Sequence, residues 1–141
     1  MIVPAYTKDI LRLAASLDAP HDLARSDGRA ELRAPTCGST IATAVMLTDG
    51  RVVDLSQGVS ACAFGQASAA LVAAHAKGRS GEEVARALGE LGDWLTGARA
   101  DPGGWPGLAT LEPARARSGR HGAILLPFRA LLAAIEDGRQ G

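Results

Sequence analysis

Asp49-Gly50 is the dipeptide that most limits how this chain can fold. Both central residues of a type I′ turn need positive φ, and Asp-Gly is among the pairs that adopt it most readily. The preceding segment, 40–48, alternates apolar residues with small or polar ones, as a half-buried strand does. The residues on one of its faces are Ile41, Thr43, Val45 and Leu47. We therefore predict a hairpin made of strands 40–48 and 51–56.

A third strand and several helices complete the predicted architecture. Residues 30–33 form a short strand that Pro35 stops, so the sheet over 29–58 has three antiparallel strands. Helical spacing and capping residues predict four helices, over 8–17, 63–76, 81–96 and 120–136. Pro127 fits the last one only near its start or at a kink. Because strands and helices occur in separate blocks, we expect one α+β domain over 1–141, with the sheet packed against several helices.

Length, composition and charge exclude several classes of function. The 141 residues are enough for one domain, and 15 basic side chains balance 15 acidic ones. A net charge of zero leaves no electrostatic footprint for nucleic acid or anionic lipid. No apolar stretch reaches the roughly 18 residues of a membrane span, and the N-terminal residues do not form a secretory signal. We therefore expect no nucleic-acid partner, no membrane partner and a cytoplasmic location.

The two cysteines, Cys37 and Cys62, both fall at junctions between predicted elements. Two cysteines cannot make a disulfide framework, and in a reducing cytosol such residues more often serve metal or redox chemistry. Cys62 directly precedes the helix over 63–76, and a helix N-terminus favours a thiolate, the form that binds metal or attacks sulfur. The alternative is that both cysteines are small buried residues of the core. Position alone leaves both interpretations open.

Several other residues near these junctions have two interpretations. Gln66 and Ser68 follow Cys62 on the same helix and could face a site there. A basic run precedes the last helix and is either a solvated face or a docking point for an acidic partner; it consists of Arg115, Arg117 and Arg120. Trp94 and Trp105 are expected to be packing residues, Trp105 within an ordered loop over 97–107.

Sequence blocks along most of the chain, from about residue 7 to 136, resemble the U-type iron–sulfur cluster assembly scaffolds. This family includes IscU, SufU and the N-terminal domain of NifU. The blocks are Ala34-Pro35-Thr36-Cys37-Gly38-Ser39, Asp49-Gly50-Arg51, the segment 58–71 around Cys62, Lys77-Gly78-Arg79-Ser80-Gly81-Glu82-Glu83 and, more weakly, 120–128. The long segment between Gly81 and Arg120 is more similar to the SufU branch. The resemblance implies the IscU/SufU-like α+β fold.

The resemblance also implies a site and a partner. Family members hold zinc or a nascent iron–sulfur cluster with three cysteines and an aspartate, and accept sulfur from a cysteine desulfurase. Cys37 and Cys62 match the first two cysteines, whereas Ser39 stands in the place of the aspartate and Ala123 in that of the third cysteine. His121, two positions earlier, could supply an imidazole. The expected metal ligands are therefore Cys37, Cys62, His121 and Ser39.

Three hypotheses for function follow, and in none of them is the chain an enzyme in its own right. In the first it is a scaffold that binds iron, zinc or a cluster with substituted ligands, which leaves room for a homodimer. In the second it accepts sulfur on Cys37 or Cys62. In the third it is a degenerate paralogue without metal that acts through protein contacts or forms a Cys37–Cys62 disulfide.

Overall fold

A computed structural model describes residues 6–35 and 38–140 of the chain, without the side chain of residue 140. The described elements follow one another as helix, three strands and then helices, which confirms the predicted α+β class. In chain order they are α1 (Lys8–Ala15), β1 (Gly28–Arg33), β2 (Thr40–Thr48), β3 (Arg51–Ser60), α2 (Ala63–His75), α3 (Gly81–Leu95), the 3₁₀ helices Leu108–Ala114 and Ser118–Arg120, and α4 (His121–Gln140).

The sheet is a three-stranded antiparallel meander in the order β1-β2-β3. Its predicted hairpin is confirmed: Asp49 and Gly50 have φ of 54° and 75°, the positive values that a type I′ turn requires. β3 continues four residues beyond the predicted end at residue 56, because Gly58 and Ser60 stay paired with Ala42 and Thr40 on β2. Cross-strand pairing therefore overrides the weak strand preference of glycine.

Helix α4 is the element around which the core is built. It packs on β1 and β2 and also against α2 and α3, and it contributes Ile124, Phe128 and Leu131, all fully buried. Pro127 is its seventh residue and removes the N–H that would bond the carbonyl of Ala123. The helix nevertheless runs on, with Pro127 inside it rather than in its first turn.

The C-terminal half of α4 crosses β1 at backbone contact. A methyl group on Gly28 would overlap the carbonyl oxygen of Ala134, and one on Gly138 would lie 2.8 Å from Leu47 Cδ1. Beside this crossing, the N–H of Arg29 donates to Asp137 Oδ2 at 2.9 Å. Only glycine therefore fits at the two facing positions.

The segment between α3 and α4 is ordered by Trp105. Its ring is buried, its Nε1–H donates to the carbonyl of Leu71 at 3.0 Å, and it meets Phe128 edge to face. The expected packing roles of Trp94 and Trp105 are confirmed. The two 3₁₀ helices after this loop were not predicted. No helix in the described part of the chain is long and apolar enough to cross a membrane.

Candidate functional site

Cys62 occupies the N-cap position of α2. Its backbone is extended, with φ −67° and ψ 172°, and its carbonyl accepts the Gln66 N–H at 2.9 Å to begin the helix. The thiol itself makes no capping hydrogen bond. Cys62 is half-buried and packs against the main core cluster. The side chain therefore stands at the positive end of the α2 dipole with part of its surface open to an incoming reactant.

Cys62 opens onto a surface depression of about 230 Å³. The β1–β2 connection, the end of β3 and the second 3₁₀ helix meet here, and the lining residues are Gly38, Ser39, Ser60, Ala61, Cys62 and Arg120. Ser39 is buried, and its carbonyl accepts the N–H of Ala34 at 2.8 Å, which fixes the entry to β2. Two of the residues predicted for the site, Cys62 and Ser39, thus line one depression. Cys37 lies outside the described residues.

Ala123 lies against the first turn of α2, at Gly65, which is three residues after Cys62. A Cβ on Gly65 would be 3.4 Å from the Cβ of Ala123 and 3.3 Å from its carbonyl oxygen. Ala123 is 1% exposed. The position that the family resemblance gives to a third cysteine therefore packs on the helix turn that Cys62 caps.

His121 is tied to the first 3₁₀ helix rather than to the depression. Its Nε2 lies 3.0 Å from the carbonyl oxygen of Ala114 and 3.2 Å from that of Arg115. Carbonyl oxygens only accept, so Nε2 carries the ring proton and Nδ1 is the nitrogen that could bind a metal. The adjacent Arg120, and not His121, is the residue that lines the depression.

Gln66 and Ser68 have structural roles. The Nε2 of Gln66 donates to the carbonyl of Ala61 at 3.1 Å, beside the depression. Ser68 is completely buried, and its Oγ donates to the carbonyl of Ile124 at 2.6 Å. Ser68 therefore joins α2 to α4, and the interpretation that it faces the site is wrong.

The donor set at the depression supplies part of a metal site. Zinc and iron–sulfur clusters commonly take four donors, chiefly thiolate and imidazole. Among residues 6–35 and 38–140, no three His, Cys, Asp or Glu side chains come together in a group that could hold a metal ion. The described donors at the depression are the Cys62 thiol and the Ser39 hydroxyl. Nδ1 of His121 is a further candidate, since His121 follows Arg120, which lines the depression. More thiolate donors are needed to complete a site of either kind.

Solved structures share this fold over nearly their whole length. A nitrogen-fixing NifU-like protein (N-terminal) from Brucella abortus is 30% identical, with a TM-score of 0.87 over 95% of this chain and 94% of that one. A protein named as an iron–sulfur cluster assembly scaffold for the SUF system, from the thermophile Fervidobacterium islandicum AW-1, is 18% identical, with a TM-score of 0.80 over 93% and 96%.

A third solved structure, that of a hypothetical protein, is 22% identical, with a TM-score of 0.65 over 91% of this chain and 96% of that one. At 18% and 22% identity, the second and third structures show the fold alone. No family model and no curated protein sequence matches the chain. Because the neighbours include both a NifU-like and a SUF-system protein, the closer likeness to the SufU branch stays a prediction.

Proposed function

The chain belongs to the U-type iron–sulfur cluster assembly scaffold family, and we propose that it serves cluster assembly by accepting sulfur on Cys62. The observation that carries this proposal is the half-exposed Cys62 thiol at the N-cap of α2, open to a depression that Arg120 also lines. A sulfur acceptor needs one accessible thiolate, whereas a complete metal site needs several donors.

The proposed transfer is a thiol–persulfide exchange. The Cys62 thiolate attacks the outer sulfur of a persulfide carried by a cysteine desulfurase. A new S–S bond forms on Cys62 while the S–S bond of the donor breaks, and the donor's cysteine leaves as a thiolate. The electron pair of the broken S–S bond leaves with the donor's cysteine and the transferred sulfur keeps its oxidation state, so no further oxidant or reductant is required. Cys37 is the second thiol of the chain and is proposed to receive or hold sulfur with Cys62.

Iron, zinc or a nascent cluster is the cargo of this proposed site. Cys62 and Cys37 would hold it, with the hydroxyl of Ser39 and Nδ1 of His121 as further ligands, and a second copy of the chain could complete the set as a homodimer. The reducing cytoplasm, which keeps both thiols free to react, is the proposed location. The protein acts as an acceptor and carrier rather than as an enzyme.

Mass spectrometry of peptides tests the sulfur-transfer proposal. The protein is incubated with a cysteine desulfurase and free cysteine, alkylated and digested. We expect one or more added sulfur atoms on the Cys62 peptide of the wild type, and none on that peptide in Cys62→Ser. The matched variant Cys37→Ser should still load Cys62. An unmodified Cys62 peptide in the wild type would refute the proposal.

The alternative function is that of a degenerate paralogue without metal, acting through protein contacts. Ser39 and Ala123, which replace an aspartate and a cysteine of the family pattern, favour this alternative. Anaerobic reconstitution with iron and sulfide separates the two. A stoichiometric, visibly absorbing cluster that disappears in Cys37→Ala supports a carrier with cargo. A colourless protein that also accepts no sulfur supports the degenerate paralogue.

A further inference from the structure

The arginines of this chain fall into two groups. Many are paired with a carboxylate: Arg51 Nη1 lies 2.6 Å from Glu83 Oε1, and Arg99 Nη2 lies 3.0 Å from Asp101 Oδ1. Arg115 is also engaged, since its guanidinium stacks over the Trp94 ring and its Nε donates to the Trp94 carbonyl. It is therefore not part of the exposed basic run that the sequence indicates.

Five exposed arginines have no hydrogen-bond or ion-pair partner for the guanidinium group among the described residues: Arg12, Arg33, Arg117, Arg120 and Arg129. Three of these five are named here the arginine rim: Arg33, Arg117 and Arg120. All three are exposed. No carboxylate or carbonyl within residues 6–35 and 38–140 pairs with their guanidinium groups, whereas the salt bridges of the described chain engage other arginines. Because the whole chain has zero net charge, this positive charge is local.

The arginine rim lies at the end of the molecule where the Cys62 depression opens. Arg120 lines the depression, and its N–H donates to the carbonyl of Arg117 at 2.9 Å. Arg117 therefore lies at the start of the tight turn that ends at Arg120. On the sheet, Arg33 pairs with Thr40, which pairs with Ser60, another residue of the lining. Directly opposed strand residues share a face, so this row leads from Arg33 to the depression.

The residue after Arg33 in β1 packs against the start of α4, close to Arg120. Ala34, which follows Arg33, donates its N–H to the carbonyl of Ser39 at 2.8 Å. A Cβ on Gly122, two residues after Arg120, would lie 3.6 Å from the Cβ of Ala34. Arg33 and Arg120 therefore belong to one end of the molecule, although 86 residues separate them in sequence.

We propose that the arginine rim is the docking surface for an acidic patch on the protein that delivers sulfur to Cys62. A guanidinium offers planar donors that match carboxylates, and unpaired exposed charges speed association by steering the partner. This inference rests on the proposed function, because it gives the sulfur donor its surface chemistry. Three arginines on a neutral chain make a smaller footprint than nucleic acid generally demands.

Association kinetics with the cysteine desulfurase of the same organism test the inference. The variants are Arg33→Glu and Arg117→Glu, neither of which lines the depression. Lys77→Glu is the control, since it makes the same charge change beyond the C-terminal end of α2, about 20 Å from Cys62 along a 13-residue helix. Circular dichroism and thermal melting confirm that each variant folds.

We expect each rim variant to associate roughly three- to ten-fold more slowly than wild type, with dissociation changed less. Raising the salt from about 50 to about 300 mM NaCl should slow the wild type and narrow the difference. Lys77→Glu should stay within about two-fold of wild type. Three results would each overturn the inference. The rim variants could associate as fast as Lys77→Glu, or the wild type could fail to bind the desulfurase. The third is that the arginine rim instead increases the affinity for a short DNA duplex.

Sulfur loading in the same mixtures separates the two proposals. If binding depends on the arginine rim but the Cys62 peptide gains no sulfur, the docking surface stands and sulfur transfer to Cys62 fails. If Cys62 is loaded equally fast in wild type and in Arg33→Glu with Arg117→Glu combined, sulfur transfer stands and the docking surface fails.

Discussion

Ala123 of α4 faces Gly65 of α2 across the helix interface, in the first turn of the helix that Cys62 caps. The separation of 3.4 Å between the Ala123 Cβ and a Cβ on Gly65 is ordinary van der Waals contact, but the same added Cβ would lie 2.7 Å from that of Ala61. The absence of a side chain at residue 65 thus lets α4 approach the turn that begins with Cys62. This pair therefore affects both the stability of the fold and the position of the helix turn that carries Cys62.

Gly65→Ala should destabilise the protein. The new methyl group overlaps the Cβ of Ala61, which precedes the N-cap of α2, and crowds the Ala123 carbonyl; overpacking of this kind costs about 1–3 kcal/mol. The matched control is Gly89→Ala in α3, where an added Cβ meets nothing within 4 Å. That change should stabilise by about 0.5–1 kcal/mol, because alanine is the better helix former. Urea denaturation checks both, and equal effects of the two changes would contradict the contact.

Ser39→Asp combined with Ala123→Cys should create zinc binding. The double change restores the aspartate and the third cysteine of the family pattern beside Cys62, and a carboxylate and a thiolate are good zinc ligands. We expect the zinc content to rise to about one ion per chain, as the four-ligand site of the family implies. Metal analysis after dialysis measures it.

Two control variants accompany the zinc experiment. Ser39→Asp with Ala130→Cys adds the same groups but puts the thiol seven residues further along α4, where Ala130 packs with Ala34 and Ile41. It should bind no more zinc than the wild type. Cys62→Ser in the gain-of-function background should remove the zinc. A double variant that binds no more zinc than the wild type would show that residue 123 is not a ligand position.

Ser68→Ala should weaken the junction of α2 with α4. The buried hydroxyl of Ser68 donates to the Ile124 carbonyl at 2.6 Å, and loss of a buried hydrogen bond costs roughly 1–2 kcal/mol. Ser16→Ala is the control: its hydroxyl makes an equally short bond to the Leu13 carbonyl but is exposed. We expect that change to cost less than about 0.5 kcal/mol. Chemical denaturation of both variants would detect the difference, and equal costs would count against a role for Ser68 in stability.

Asp27 should make stability depend on acid pH. Its carboxylate accepts the Leu47 N–H at 2.7 Å, and this bond, followed by Arg25, holds the pKa of Asp27 below its ordinary value. A lowered pKa in the folded state means that the contribution is present above the unfolded pKa and is lost as pH falls from about 4 downwards.

The difference in melting temperature between wild type and Asp27→Asn should therefore be largest near neutral pH and should shrink below about pH 4. Asp18→Asn changes an exposed loop carboxylate and serves as control, with a small difference at every pH. If the difference in melting temperature between wild type and Asp27→Asn stays constant down to about pH 2.5, the Leu47 bond does not depend on the charge of Asp27.

Local signals in the sequence were enough to predict the hairpin and the main helices. Asp49-Gly50 determines its turn through backbone preference alone, and Ser80 caps α3 by accepting the Glu83 N–H, as the capping-box pattern indicates. The end of β3 depends on a partner strand and so could not be read from its own residues. The first 3₁₀ helix had a usable signal: Leu108, Leu111 and Ala114 are all buried and recur every third residue, the period of that helix.

The site was less predictable than the fold. The position of Cys62 at a helix start follows from local pattern, and the place of Ala123 came from the family resemblance. Arg33 was missed because nothing in its short strand distinguishes it, and only the pairing of β1 with β2 brings it to the same end as Arg120. Likewise, no sequence pattern reveals that two backbone carbonyls already hold His121 Nε2.

The close crossing of β1 and α4 has a consequence at the opposite end of the helix. Because Gly28 and Gly138 meet at backbone contact, α4 has no room to slide or rotate there. A rigid helix carries that restriction along its axis, and the 15 helical steps from Gly138 back to Ala123 amount to about 22 Å. The crossing thus sets the position of α4 along the sheet, so a methyl group on Gly28 would displace Ala123 from its place against the first turn of α2, at the far end of the helix.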